Sequence, residues 1–152
     1  MKRLLFILLL PFCVNAQNCQ DIKNIPRKNT KLKIFESPDS NAVQFTKDIL
    51  GKSATYRIRL RIMRPTIDLG QKGVLIMFDD GTSLEKVEEI VDVNNLDDKF
   101  EFMSTITLLP EELILFQKKK IIGFKLFTYQ KNITPLEGEK FRNYVKCISN
   151  KK

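Results

Sequence analysis

The chain contains no histidine and no tryptophan. Without histidine, Ser-His-Asp and Cys-His catalysis are excluded, and the commonest transition-metal ligand is missing. Without tryptophan, any sugar-stacking platform has to be built from Tyr or Phe. Cysteine occurs only three times, at Cys13, Cys19 and Cys147. The longest apolar run, Leu4 to Leu10, stops well short of the roughly 20 residues that a membrane-spanning helix needs. No internal repeat or low-complexity segment is present.

What is there begins with a basic start, Met1-Lys2-Arg3, followed by that apolar run and by Pro11 to Ala16. A small residue before Gln17 completes the pattern of a secretory signal peptide, with cleavage expected after Ala16. Neither Cys13 nor Cys19 is preceded by the aliphatic and small residues of a lipid-anchoring site. The expectation is therefore an exported protein, periplasmic or extracellular, with no stable membrane insertion after cleavage. Cleavage leaves Cys19 and Cys147, one near each end, and an oxidising compartment favours joining them in a disulfide. Residues 1–16 are then the signal peptide, 17–30 a polar leader, and 31–152 a single domain.

Secondary structure follows from periodicity. Tyr56, Ile58, Leu60 and Ile62 alternate with Arg57, Arg59, Arg61 and Met63, which predicts a half-buried strand over Thr55–Arg64. Val74 to Phe78 are apolar throughout, which predicts a strand covered on both faces and central to the fold; Asp79-Asp80-Gly81 then turns the chain back. Further strands are expected at Lys31–Glu36, Leu84–Val93, Phe100–Leu108 and Ile121–Tyr129, with Asn94–Asp98 as a turn. Ala42–Leu50 fits either a strand or a helical turn. Pro110-Glu111-Glu112 opens a helix over about 110–119, although Leu109 stands where a hydroxyl cap is expected. Thr134-Pro135-Leu136-Glu137 has the form of a capping box and opens a second helix over about 135–149. The fold class is α+β: a mainly antiparallel sheet with two helices on one face.

Candidate sites are few. Arg57, Arg59 and Arg61 lie on one strand face about 6.6–6.8 Å apart, a cationic stripe suited to phosphate, sulfate or carboxylate groups. Met63 and Tyr129 are its apolar neighbours. Cross-strand acids such as Glu85, Glu88, Glu89 or Glu101 are the plain alternative, because they would neutralise it. The acidic pairs Asp79-Asp80, Glu88-Glu89, Asp97-Asp98 and Glu111-Glu112 are poor acid/base candidates, since neighbours on a strand point to opposite faces. Asp92–Asp98 is loosely like a calcium loop but lacks the mid-loop glycine and the closing glutamate. Lys118-Lys119-Lys120 complements a helix carboxyl end. The net charge of +8 invites a nucleic-acid reading, but export and scattered lysines argue against it.

Gly73 to Thr82, the Glu111-Glu112 helix start, Phe124-x-Leu-Phe-x-Tyr129 and Phe141-x-x-Tyr-Val-Lys-Cys147 carry a resemblance. From about Thr55 to the carboxyl end, the chain resembles a group of small secreted proteins of unknown function from Bacteroidetes-type bacteria. That resemblance implies no activity, cofactor or catalytic residue. The expected function is an exported, non-enzymatic interaction domain that presents Arg57, Arg59, Arg61 and Met63 to a protein partner. An anionic glycan or lipopolysaccharide bound through that face and Lys118–Lys120 is the alternative.

Overall fold

The computed structural model describes residues 19–28, 30–67 and 72–152. The expected signal peptide, and all but the last residue of the Asp68–Lys72 loop, lie outside them. The strands are β1 (Lys23–Pro26), β2 (Leu32–Glu36), β3 (Val43–Leu50), β4 (Ser53–Arg64), β5 (Lys72–Phe78), β6 (Ser83–Ile90), β7 (Asp92–Leu96), β8 (Lys99–Leu108), β9 (Ile121–Leu126) and β10 (Tyr129–Asn132). Helix α1 (Pro110–Lys118) lies between β8 and β9, and α2 (Pro135–Ser149) closes the chain. The fold is α+β and its strands pair antiparallel, as expected, but they form two sheets rather than one. The larger sheet runs β1-β2-β3-β4-β8-β7, the smaller β10-β9-β5-β6.

The two sheets pack face to face, because each carries apolar residues at every second position on one side. From the large sheet come Phe45, Ile58, Leu60, Ile62, Phe102, Ile106 and Leu108; from the small sheet come Val74, Ile76, Phe78, Phe124 and Leu126, all buried. Phe116 of α1 joins the layers, with its ring 5.8 Å from that of Phe45 and 5.3 Å from that of Phe78, both edge-on. Helix α2 buries Phe141, Val145 and Ile148 and packs against β3 and β9. The helices and the small sheet thus cover the inner face of the large sheet between them. Its outer face, which carries the arginines, is left to solvent.

Several expectations are corrected. Strand β5 is an inner strand of the smaller sheet, between β9 and β6, but it is not covered on both faces as expected. Leu75 and Met77 of β5 are only partly covered, so that strand is buried on one face. The chain from Ser83 to Leu96 is two strands: it leaves the small sheet after Ile90 and enters the large one at Asp92, with Val91 buried at the crossing. Ser104, fully buried on β8, donates its hydroxyl to the Ile90 carbonyl at 2.9 Å and fixes that corner. The expected turn at Asn94 is delayed to Asp97-Asp98, with Asp97 at φ +51°. Ile121–Tyr129 is not one strand but β9, a two-residue turn at Phe127-Thr128, and the start of β10. Residues 23–26 of the polar leader are an edge strand paired with β2.

The ends are held as the sequence suggests. Cys19 and Cys147 form a disulfide with their Cα atoms 5.4 Å apart. Thr134 caps α2, accepting from the Glu137 amide while Glu137 reaches back to the Thr134 amide at 3.0 Å. Helix α1 starts at Pro110 without a hydroxyl cap. Glu112 substitutes in part: it accepts from the Leu109 amide at 2.9 Å and pairs with Lys86 of β6 at 2.5 Å.

Candidate binding face

Strand β4 directs Arg57, Arg59, Arg61 and Met63 outward because Ile58, Leu60 and Ile62 occupy the opposite parity in the core. The stripe exists, and the pairing register decides its electrostatics. Residues of β3 and β8 on the same face stand beside it: Thr46 and Thr107 flank Arg57, Gln44 and Thr105 flank Arg59, and Met103 flanks Arg61.

The three arginines are not equivalent. Arg57 pairs with Asp48, one diagonal step away on β3. Arg61 pairs with Asp39, from the loop before β3, and lies 3.5 Å from Glu101 of β8. Of the acids considered from sequence, only Glu101 takes part; Asp48 and Asp39 do the rest. Arg59 has no carboxylate partner among the described residues. Its Nη1 donates to Oε1 of Gln44 at 3.2 Å. Gln44 is itself buried, and its amide donates to the Ser37 carbonyl at 3.3 Å. A neutral amide orients this guanidinium without cancelling its charge. Nε of Arg59 is buried with no hydrogen-bond partner among the described residues.

A cavity of about 230 Å³ indents this face beside Arg59. Arg27, Glu36, Thr46, Arg59 and Thr105 supply its polar wall, Leu32 and Ile34 its apolar one, and the Arg57–Asp48 pair closes one side. Sequence inspection missed every one of these residues except Arg57 and Arg59. The signal was available in β3, where Gln44, Thr46 and Asp48 share one parity. Reading Ala42–Leu50 firmly as a strand would have set them beside the arginines.

Other expected features fall elsewhere. Met63 is 40% exposed at the far end of the strand and does not line the cavity. Tyr129 is not a neighbour of the stripe; it packs on the core side, with its ring 4.6 Å from that of Phe102. The lysines after α1 belong to the opposite side of the large sheet. There Lys119 pairs with Asp80 at 2.7 Å and Lys120 with Glu139 at 3.3 Å. Lys119 and Thr82 hold the Asp80 carboxyl down at about 2. Asp79 accepts from the Lys120 amide at 3.0 Å, so the Asp79-Asp80-Gly81 turn clamps the start of β9 as well as reversing the chain. Of the calcium-like segment, Asp92–Leu96 is strand β7, with Asn94 donating to Glu101 at 3.1 Å. Among the described residues no cluster of metal-ligating side chains occurs, and no helix is long and apolar enough to cross a membrane.

The chain matches no protein-family model, no curated protein and no solved structure.

Proposed function

We propose that the protein is an exported, non-enzymatic binding domain whose recognition surface is the outer face of the six-stranded sheet. The observation that carries this reading is Arg59: a charged guanidinium beside a cavity, oriented by a buried amide and without a carboxylate ion-pair partner among the described residues. A purely structural stripe would be expected to pair all three arginines. Export is supported by the leading sequence and by the Cys19–Cys147 disulfide, which suits an oxidising compartment. The resemblance to small secreted Bacteroidetes-type proteins agrees with export and implies no particular role. The test is a block that spares the ion pairs. Thr105 is exposed on the cavity rim, and Thr105→Tyr fills the entrance while suiting a strand. Crosslinking in the exported fraction of the native cell should lose the same partner in Thr105→Tyr that wild type retains. An unchanged crosslinked partner in the variant removes the outer face from the function.

The second reading, an anionic glycan, is favoured by the same unpaired arginine but takes a different form from the sequence expectation. With Arg57 and Arg61 neutralised and Lys118–Lys120 behind the sheet, a continuous polyanion track is lacking. Retention on immobilised heparin should therefore be weak and should vanish with modest salt, whereas tight retention would favour a polyanionic glycan.

A further inference from the structure

We infer that the outer-face cavity takes a small carboxylic acid that also carries a hydroxyl or amino donor, its carboxylate on Arg59 and its donor on Glu36. This rests on the outer face being the binding surface and names the chemistry recognised there. The charge inventory of the cavity leads to it. Arg57 and Asp48 satisfy one another, which leaves Arg27 and Arg59 against Glu36. None of these three has an ion-pair partner among the described residues. The balance is one positive charge in excess. A hydroxy acid, a monoanion, offsets it, whereas an amino acid, a zwitterion at neutral pH, pairs with Arg59 and Glu36 and leaves Arg27 free to solvent.

Glu36 then sets the rest of the ligand. It stands on β2 in the row of Thr46, while Arg59 stands on β4 in the row of Gln44. The two are two strands and one row apart, roughly 10 Å across the sheet and 7 Å along it. Both side chains line the same cavity, and Thr46 stands on the strand between theirs. A bound inorganic anion would bring a second negative charge towards Glu36 and offer it no donor of its own. A hydroxy or amino acid gives Arg59 a planar carboxylate and gives Glu36 a donor in one molecule. Thr46 and Thr105 add two hydroxyls, and Leu32 and Ile34 an apolar wall for the carbon skeleton. Gln44 is the positioning residue that holds the Arg59 fork in place.

The experiment is an amide-shift titration of the full mature chain with five probes: L-serine, glucuronate, acetate, sulfate and glucose. L-Serine or glucuronate should shift the Thr46 and Thr105 amides saturably, with acetate and sulfate weaker by about tenfold, the effect of one charged hydrogen bond. Arg59→Gln should weaken the best probe by about tenfold or more, and Glu36→Gln should erase its advantage over acetate. A response to L-serine without one to glucuronate, which offers hydroxyls but no amine, points to the ammonium as the donor. A response to glucuronate without one to L-serine shows that a hydroxyl suffices; both outcomes support the inference. Equal binding of acetate and sulfate overturns the donor requirement. Unchanged affinity in Arg59→Gln, or no shift at the cavity with any probe, overturns the site. If the cavity stays silent while Thr105→Tyr still abolishes partner crosslinking, the inference fails and the binding face survives. Probe binding in the cavity with unchanged crosslinking has the opposite meaning: the ligand class holds and the macromolecular role of the face does not.

Discussion

The Lys47 ammonium lies 2.9 Å from the Ser149 carbonyl, joining the middle of the large sheet to the end of the last helix across most of the sequence. Lys47 is 95% buried on the inner face of β3, where a lysine has no ordinary place. It also donates to the Lys151 carbonyl at 2.7 Å and sits 5.1 Å from the Tyr56 ring centre. Carbonyls at a helix carboxyl end lack intrahelical donors, and the helix dipole favours a cation there. Lys47→Met keeps the length of the side chain and removes the charge. It should lower stability by about 1–3 kcal/mol, read from urea unfolding, because the two carbonyls lose a charged donor. A neutral or stabilising effect would show that solvent satisfies them.

The disulfide pins the same last turn of α2, since Cys147 lies two residues before Ser149. Both sulfurs are held in that bond, so intact mass of the mature chain, unfolded without reductant, should show no alkylation, and two additions only after reduction. Replacing both cysteines with serine should cost about 2–5 kcal/mol, towards the upper end because the closed loop is long. The two anchors share one element, so the double loss of Lys47 and the disulfide should be less than additive. Strict additivity would mean that the anchors act independently.

Gly138 carries a third prediction about α2. A Cβ at this position would stand 2.5 Å from the Ile121 carbonyl oxygen, closer than side-chain carbons approach backbone. Alanine improves helix propensity by about 1 kcal/mol, while forced overpacking costs about 1–3 kcal/mol. Because the obstacle is backbone of β9, the cost wins, and Gly138→Ala should unfold at lower urea. A higher midpoint would show that α2 can move away from β9 freely.

Acid should weaken the fold in a defined window. The Asp80 carboxyl is lowered to about 2 by Lys119 and Thr82, Glu137 is lowered by the Thr134 hydroxyl and amide, and Glu139 by Arg142 and Lys120. Each is depressed in the folded chain, so its contribution is fully present above the unfolded value. It is lost as pH falls through the folded value. Their ordinary values are 3.8 and 4.5, so the urea midpoint should decline from about pH 4.5 towards pH 2. Asp80→Asn should flatten the lower part of that decline. An unaltered slope would remove Asp80 from the acid response.

How much of this was legible in sequence depended on local regularity. β4 was plain because its parity is unbroken, and α2 because Thr134 and Glu137 announce its start. The sheet crossing was visible only as a defect: Glu89 breaks the valine parity of Leu84–Val93, and that break marks where the chain turns towards the other sheet at Val91. The β9–β10 hairpin was hidden because Phe127 adopts φ +55° where glycine or asparagine would signal a turn. Its amide donates to the Gly73 carbonyl at 2.8 Å, a tertiary contact that helps hold the turn and that no local rule foresees. The parity of the arginines on β4 is legible in sequence, but their electrostatics depend on which strands flank β4, and pairing is not a local property.

That dependence gives a last prediction, which separates two arginines that sequence makes look alike. Arg57 balances Asp48, whose side chain is only 14% exposed and whose Oδ1 is buried without another partner among the described residues. Arg57→Gln leaves that carboxylate uncompensated and should cost about 1–3 kcal/mol. Arg59→Gln removes a charge that no carboxylate requires, and glutamine retains a donor for Gln44. Its stability should stay within about 0.5 kcal/mol of wild type. Urea unfolding of the two single variants, side by side, checks the difference. Equal losses would mean that Arg59 is as structural as Arg57 and would weaken the case for the cavity. A stable Arg59→Gln that no longer binds would assign the residue to recognition, because its charge would then be needed for binding and not for folding.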